Sequence, residues 1–244
     1  MTTPSKNPSN KPAPRGKAAK ADACTQCHGT GYVITNSGAA PCPCQQGQRS
    51  TQVYHRANIP RKFYDKTLAN FSAKSSQHKE IIHGAKGFLK TFKSVGTEIN
   101  GKGLILMGKE GTGKTHVAIA ILRDVIDKKF TGLYWNVPQM FLELRRRMEE
   151  SIQETESELF EHAGQVDLLV LDDLGAERSS EYVTDRLYVL INSRYEDDKA
   201  TIITTNRSLT ELRQQLGPRI VSRICEMCVV VEFPQGDYRM LNLK

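Results

Sequence analysis

No stretch of this chain holds about eighteen consecutive apolar residues, which excludes a membrane-spanning helix on length alone. The N-terminus has no apolar core of the kind that directs secretion, so a cytoplasmic protein without a membrane partner is expected. Residues 1–21 also lack hydrophobic periodicity and read as a disordered basic arm. Lys6, Lys11, Arg15, Lys17 and Lys20 against Asp22 give this end a net +4, so only +3 of the +7 total falls elsewhere. Such an arm either keeps the chain soluble or tethers it to nucleic acid. The six cysteines come without a secretory signal, so thiols or metal ligands are expected rather than disulfides. The 244 residues suit one medium domain and a small accessory piece.

What the chain does have is concentrated between residues 103 and 128. The apolar run Leu104-Ile105-Leu106-Met107 is strand-length and is followed by Gly108-Lys109-Glu110-Gly111-Thr112-Gly113-Lys114-Thr115, a full match to G-x-x-x-x-G-K-[ST]. Val117/Ala118, Ile121/Leu122 and Val125/Ile126 then recur on one helical face. Backbone N–H groups converge on a polyphosphate only where the loop wraps tightly, which Gly108, Gly111 and Gly113 permit. Lys114 can reach the β- and γ-phosphates, and the Thr115 hydroxyl can bind Mg²⁺. Gly108, Glu110, Gly111, Thr112, Gly113, Lys114, Thr115 and His116 form the expected nucleotide-binding set, and a nucleoside triphosphate is the expected ligand.

Val166 to Leu171 is a continuous apolar strand closed by Asp172 and Asp173, the Walker B arrangement. Asp172 would hold Mg²⁺ and Asp173 would orient the attacking water, although a glutamate is usual at that second place. Thr201–Asn206 is another buried strand, with Asn206 placed near the γ-phosphate to hold the water. Alternating strands and helices imply an α/β fold with a parallel sheet and ligands at the strand carboxyl ends.

Four cysteines lie upstream, Cys24, Cys27, Cys42 and Cys44, close enough in sequence to make a tetrahedral Zn²⁺ site. The second pair is C-x-C, and His28 is an alternative ligand; reduced thiols without metal are the other reading. With four protein ligands the site would be structural. The expected organisation is a basic arm (1–21), a zinc module (22–48), a linker and helix near Ser76–Phe92 (49–95), and an ATPase domain (96–244).

Beyond the glycine loop, Thr131–Val137 reads as a strand, with Pro138 starting a helix whose Met140, Leu144, Met148 and Ile152 share one face. Arg145-Arg146-Arg147 is either a solvated face or a clamp for single-stranded DNA. Leu216-Gly217-Pro218 ends one helix and begins another, which carries Arg219 and Arg223 four apart. These two arginines are either solvated or reach a neighbouring subunit's triphosphate. Ile220, Ile224 and Met227 can face the core; Cys225 and Cys228 are expected to pack there too. Arg239 could sense the nucleotide.

Leu168–Glu177, Asn192–Tyr195, Thr204–Asn206, Gly217–Arg223 and Asp237–Arg239 together resemble the DnaC/DnaI family of replicative helicase loaders, within the AAA+ ATPases. The resemblance implies a RecA-like αβα core with a helical insertion at Pro138–Ala163. It implies ATP–Mg²⁺ binding by Lys114, Thr115 and Asp172, sensor 1 at Asn206, a trans-acting finger at Arg219 or Arg223, and sensor 2 at Arg239. It further implies a zinc module that docks a DnaB-type helicase hexamer, contact with single-stranded DNA, and self-association through the ATP sites. Three rivals remain: a transposition helper of the IstB type, an ATP-dependent interaction module with little turnover, and a small-molecule kinase.

Overall fold

The computed structural model describes parts of residues 24–42, then residues 51–92, 103–149 and 156–236. The basic arm, His28, Cys44, Ile152 and Arg239 lie outside the described residues. The chain divides into two units, residues 1–49 and 50–244.

In the first unit the described residues form an antiparallel hairpin of β1 (Tyr32–Thr35) and β2 (Gly38–Pro41), with Tyr32 opposite Pro41. A turn over Cys24–Cys27 precedes it, closed where the Thr30 N–H and hydroxyl both donate to the Cys27 carbonyl, at 2.9 and 2.7 Å.

The second unit is built on five short strands: β3 (Gly103–Met107), β4 (Gly132–Asn136), β5 (Leu168–Asp172), β6 (Ala200–Thr205) and β7 (Cys228–Glu232). They pair in parallel in the order β4-β5-β6-β3-β7. Alternate residues enter two different cores. Leu104, Leu106, Tyr134, Leu168, Val170 and Ile202 face one; Ile105, Leu133, Trp135, Leu169, Leu171 and Ile203 face the other. Burial on both faces is why these strands read as unbroken apolar runs.

Parallel strands need crossovers, and helices supply them on both faces. The first core is covered by α1 (residues 51–56), α2 (Ser76–Thr91) and α3 (Lys114–Asp127). The second is covered by α4 (Val137–Glu149), α5 (Glu156–Gln165), α6 (Glu181–Glu196), α7 (Leu209–Leu216) and α8 (Pro218–Met227). This is the αβα sandwich with a parallel sheet that the resemblance implies. Gly217, at φ +88°, ends α7, and Pro218 opens α8.

Four details differ from the sequence reading. Val166 is not in a strand, because its N–H still bonds the His162 carbonyl of α5; β5 begins at Leu168 and carries Asp172 as its last residue. Val137 opens α4 instead of closing β4. Among the described side chains of α4, Val137, Phe141 and Leu144 are buried and Met140 packs at their margin, since the helix presents a stripe set by where it starts; the Met148 side chain lies outside the described residues. Cys228 is buried but Cys225 is exposed, because the buried side of α8 is Ile220, Val221, Ile224 and Met227.

Candidate nucleotide site

The carboxyl ends of β3, β4, β5 and β6 lie side by side, and the turns leaving them bring together residues far apart in sequence. The loop after β3 departs through Gly108 (φ +151°) and enters α3 through Gly113 (φ +98°), conformations that side chains disfavour. Close approach matters as well: a Cβ at Gly113 would stand 2.6 Å from the Phe71 ring, and one at Gly108 would stand 2.9 Å from Phe233 Cβ. No side chain caps α3, so its first N–H groups are left for an anion. Lys114 is buried, and its ammonium donates to the Gly108 and Lys109 carbonyls at 2.6 and 2.7 Å, which keeps the charge inside the loop. Thr112 donates to the Lys109 carbonyl at 2.9 Å, tightening the same turn.

Asp172, at the end of β5, is buried as well. Its Oδ1 accepts from Thr115 at 2.8 Å and from Thr204 at 2.7 Å, while its Oδ2 accepts from the Tyr134 hydroxyl at 2.7 Å. Three hydroxyls, from α3, β6 and β4, thus orient one carboxylate. Burial, and then the neighbouring Asp172 charge, push the Tyr134 phenol well above its ordinary range, so it stays a donor. Thr115 and Asp172 present two oxygens to one point beside the loop, a donor pair that fits Mg²⁺.

Asp173 adopts φ +59°, turning the chain sharply out of β5. Its N–H donates to Thr204 Oγ1 at 3.0 Å, and its Oδ2 accepts from the Asn136 amide at 3.0 Å. Asn206 follows β6 and donates from Nδ2 to Glu110 Oε1 at 2.9 Å, joining the glycine loop to the fourth strand end. Between them lies a cleft of about 340 Å³ lined by Glu110, Asp173, Leu174, Gly175, Ala176, Asn206 and Arg207. Glu177 braces one of its lining residues: buried, with its pKa raised chiefly by that burial, it accepts from the Gly175 N–H at 2.9 Å.

His116 turns elsewhere. Its Nε2 donates to the Thr67 carbonyl at 2.9 Å, and its ring packs edge-on to Phe71, 5.2 Å between centroids. Burial lowers its pKa. Arg219 is exposed on α8, whereas Arg223 is half-buried with its guanidinium over Tyr188. Arg145 and Arg146 are exposed on α4. In the first unit the Cys24, Cys27 and Cys42 sulfurs lie within 4.8 Å of one another, with Cys24 and Cys42 at 3.8 Å. A tetrahedron with Zn–S bonds of about 2.3 Å has sulfur–sulfur edges of roughly 3.8 Å, so these three positions fit zinc.

Tyr134, Asn136 and Thr204 are the site residues that sequence reasoning missed. Asn136 carried a signal, being a polar residue at the carboxyl end of a strand. Tyr134 carried none, because an aromatic in an apolar strand reads as core.

The pattern of the family described as IstB-like ATP binding protein matches residues 48–243. The replicative helicase loader DnaC of Buchnera aphidicola subsp. Baizongia pistaciae is 23% identical over 179 residues, covering 73% of this chain and 71% of that protein. A crystal structure of the DnaC helicase loader aligns at 29% identity with a TM-score of 0.63, over 72% of this chain and 100% of that one. A DnaI crystal structure aligns at 27% identity and TM-score 0.63, over 72% of this chain and 94% of that one. Among the described residues no helix is long and apolar enough to cross a membrane. With its five-stranded parallel sheet, its glycine loop and these relatives, the chain belongs to the IstB-like ATP-binding protein family and has the RecA-like AAA+ fold of DnaC-type loaders.

Proposed function

We propose that this chain is a cytoplasmic ATP-controlled loader that delivers a DnaB-type replicative helicase hexamer to single-stranded DNA. The observation that carries the reading is the convergence of Lys114, Thr115, Asp172 and Asn206 at the carboxyl ends of the strands. Resemblance to proteins named as helicase loaders, across most of this chain, supplies the biological role.

The loop N–H groups and Lys114 hold the β- and γ-phosphates, and Lys114 neutralises charge as it develops on them. Mg²⁺, held by Thr115 and Asp172, would supply Lewis-acid polarisation of the phosphates. Asp173 accepts the proton of the attacking water, and Asn206 orients that water across the cleft. Arg219 or Arg223 of one subunit, with Arg239 in cis, completes the charge around the γ-phosphate and makes hydrolysis depend on assembly. Arg145 and Arg146 on α4, with Arg147 beside them in sequence, line the face offered to single-stranded DNA. In the first unit, zinc would be held by Cys24, Cys27 and Cys42 with Cys44 as fourth ligand, cross-linking a module too small for its own core. That module docks the helicase.

The test is co-purification with the host replicative helicase, with and without ATP, for the native chain and Lys114→Ala. ATP-linked capture that Lys114→Ala abolishes is expected. Capture of a DDE transposase in place of the helicase would overturn the loader role in favour of a transposition helper. ATP binding without turnover, with or without DNA, would leave an interaction module.

A further inference from the structure

Two arginines only 29 residues apart show opposite uses of the same group. Arg194 on α6 is fully buried and has its donors satisfied. Its Nε donates to Thr201 Oγ1 at 2.9 Å, Nη1 to the Ala163, Gly164 and Val166 carbonyls at 2.8, 3.1 and 3.0 Å, and Nη2 to the Ala200 carbonyl at 2.5 Å. That arginine is structural, a clasp between α5 and β6. Arg223 on α8 is held by rings instead. Its guanidinium carbon stands 4.9 Å from the Tyr188 ring centroid and 5.8 Å from that of Tyr195. Tyr188 and Tyr195 are seven apart on α6, two turns along one face. Tyr195 is itself braced, its hydroxyl donating to Glu226 Oε1 of α8 at 2.8 Å.

The ring faces fix where the guanidinium sits without satisfying its N–H groups. Among the described residues its only hydrogen bond is a 3.4 Å contact from Nη1 to the Arg219 carbonyl, and its buried Nε has no partner. Arg219, by contrast, is exposed, and among the described residues no side chain packs on or bonds its guanidinium. A cation meant to meet a neighbour's phosphate needs this combination: low conformational freedom and donors still available.

We infer that Tyr188 and Tyr195 are positioning residues, an aromatic seat that holds Arg223 for presentation to the triphosphate of a second copy of this chain. The inference rests on the proposal that α8 supplies the trans-acting arginine, and it selects Arg223 over Arg219. The tyrosines touch no substrate; they act through Arg223.

The experiment compares the full-length chain with Y188L/Y195L, Y188F/Y195F and R223A, measuring single-turnover ATP hydrolysis with single-stranded DNA, ATP affinity and nucleotide-dependent self-association. The leucine pair should lower the hydrolysis rate roughly tenfold while ATP affinity and self-association hold. The phenylalanine pair, which keeps both ring faces, should stay within about twofold of the native chain. Mixing Y188L/Y195L with K114A subunits should restore turnover, because the latter offer a seated Arg223 from next door; mixing with K114A/R223A should not. A full rate in the leucine pair alongside a lost rate in R223A would sink the seat and spare the trans arginine. A full rate in R223A would sink the trans reading and the seat with it. Equal loss in the phenylalanine and leucine pairs would overturn the seat as well, since hydroxyl removal and not the ring face would then be responsible.

Discussion

The Tyr134 hydroxyl donates to Asp172 Oδ2 at 2.7 Å within the protein interior, tying the second strand of the sheet to the acid that ends the third. It engages the carboxylate oxygen that Thr115 and Thr204 leave, so three hydroxyls together fix both oxygens of Asp172. Tyr134→Phe removes a bond to a buried charge and should cost about 1.5–3 kcal/mol of stability. It should also weaken Mg²⁺-dependent ATP binding more than Mg²⁺-independent binding. Chemical denaturation and ATP titrations at two Mg²⁺ concentrations check both.

Asp173 and Asn136 form the next pair, at 3.0 Å. Asp173→Asn keeps the φ +59° turn, which asparagine tolerates, but removes the base. Hydrolysis should fall about 10²–10⁴-fold with ATP affinity retained. Asp173→Glu supplies the commoner residue at a backbone that suits it less, and a stability loss of about 1 kcal/mol is expected. Asn136→Ala removes one donor to the Asp173 carboxylate and should lower the hydrolysis rate without changing ATP affinity.

Arg194 predicts on stability alone. Burial brings its pKa down to about 9, still above neutrality, so the guanidinium is charged in the interior. Arg194→Met strands the Ala163, Gly164, Val166 and Ala200 carbonyls, and a loss on the order of 3 kcal/mol or more should follow. Thermal unfolding measures it.

His116 gives a pH dependence. Its pKa is lowered on folding, so the folded chain binds fewer protons than the unfolded one between the two pKa values. The stability His116 contributes is therefore complete above its ordinary pKa and is lost as pH falls through the lowered one. His116→Gln should flatten the acid side of the stability profile. Glu177 has the opposite sign: its raised pKa makes the folded state favour the neutral acid, and stability falls as pH rises through it. Glu177→Gln should therefore stabilise at neutral pH and have little effect at low pH. Melting curves across the pH range check both.

The cysteine cluster predicts about one equivalent of bound zinc per chain, lost in Cys24→Ser, Cys27→Ser or Cys42→Ser, as measured by elemental analysis. Chelation should unfold the first unit and leave ATP affinity unchanged.

Much of the nucleotide site was legible in order along the chain. The glycine loop, Asp172, Asp173 and Asn206 each sit at the end of an apolar run, and such runs have the same signature wherever both sheet faces are covered. The same signature concealed the strand limits. Val166 is as apolar as Leu168, yet it completes the last turn of α5 because its N–H remains committed to His162. Cys225 and Cys228 looked alike three residues apart, and only the packed face of α8 separated them.

By itself the sequence determined the fold class and laid out the glycine turn and the strand-end acids, because these follow from local patterns: strand, glycine turn, helix, and an acid at a strand end. The tertiary structure decided the partnerships: Tyr134 with Asp172, Asn136 with Asp173, Asn206 with Glu110, and Arg223 with Tyr188 and Tyr195. Those pairs stand between 28 and 96 positions apart, and no local propensity encodes them. Their contact exists only once the order β4-β5-β6-β3-β7 has set the strand ends side by side, with α6 and α8 packed over the same core.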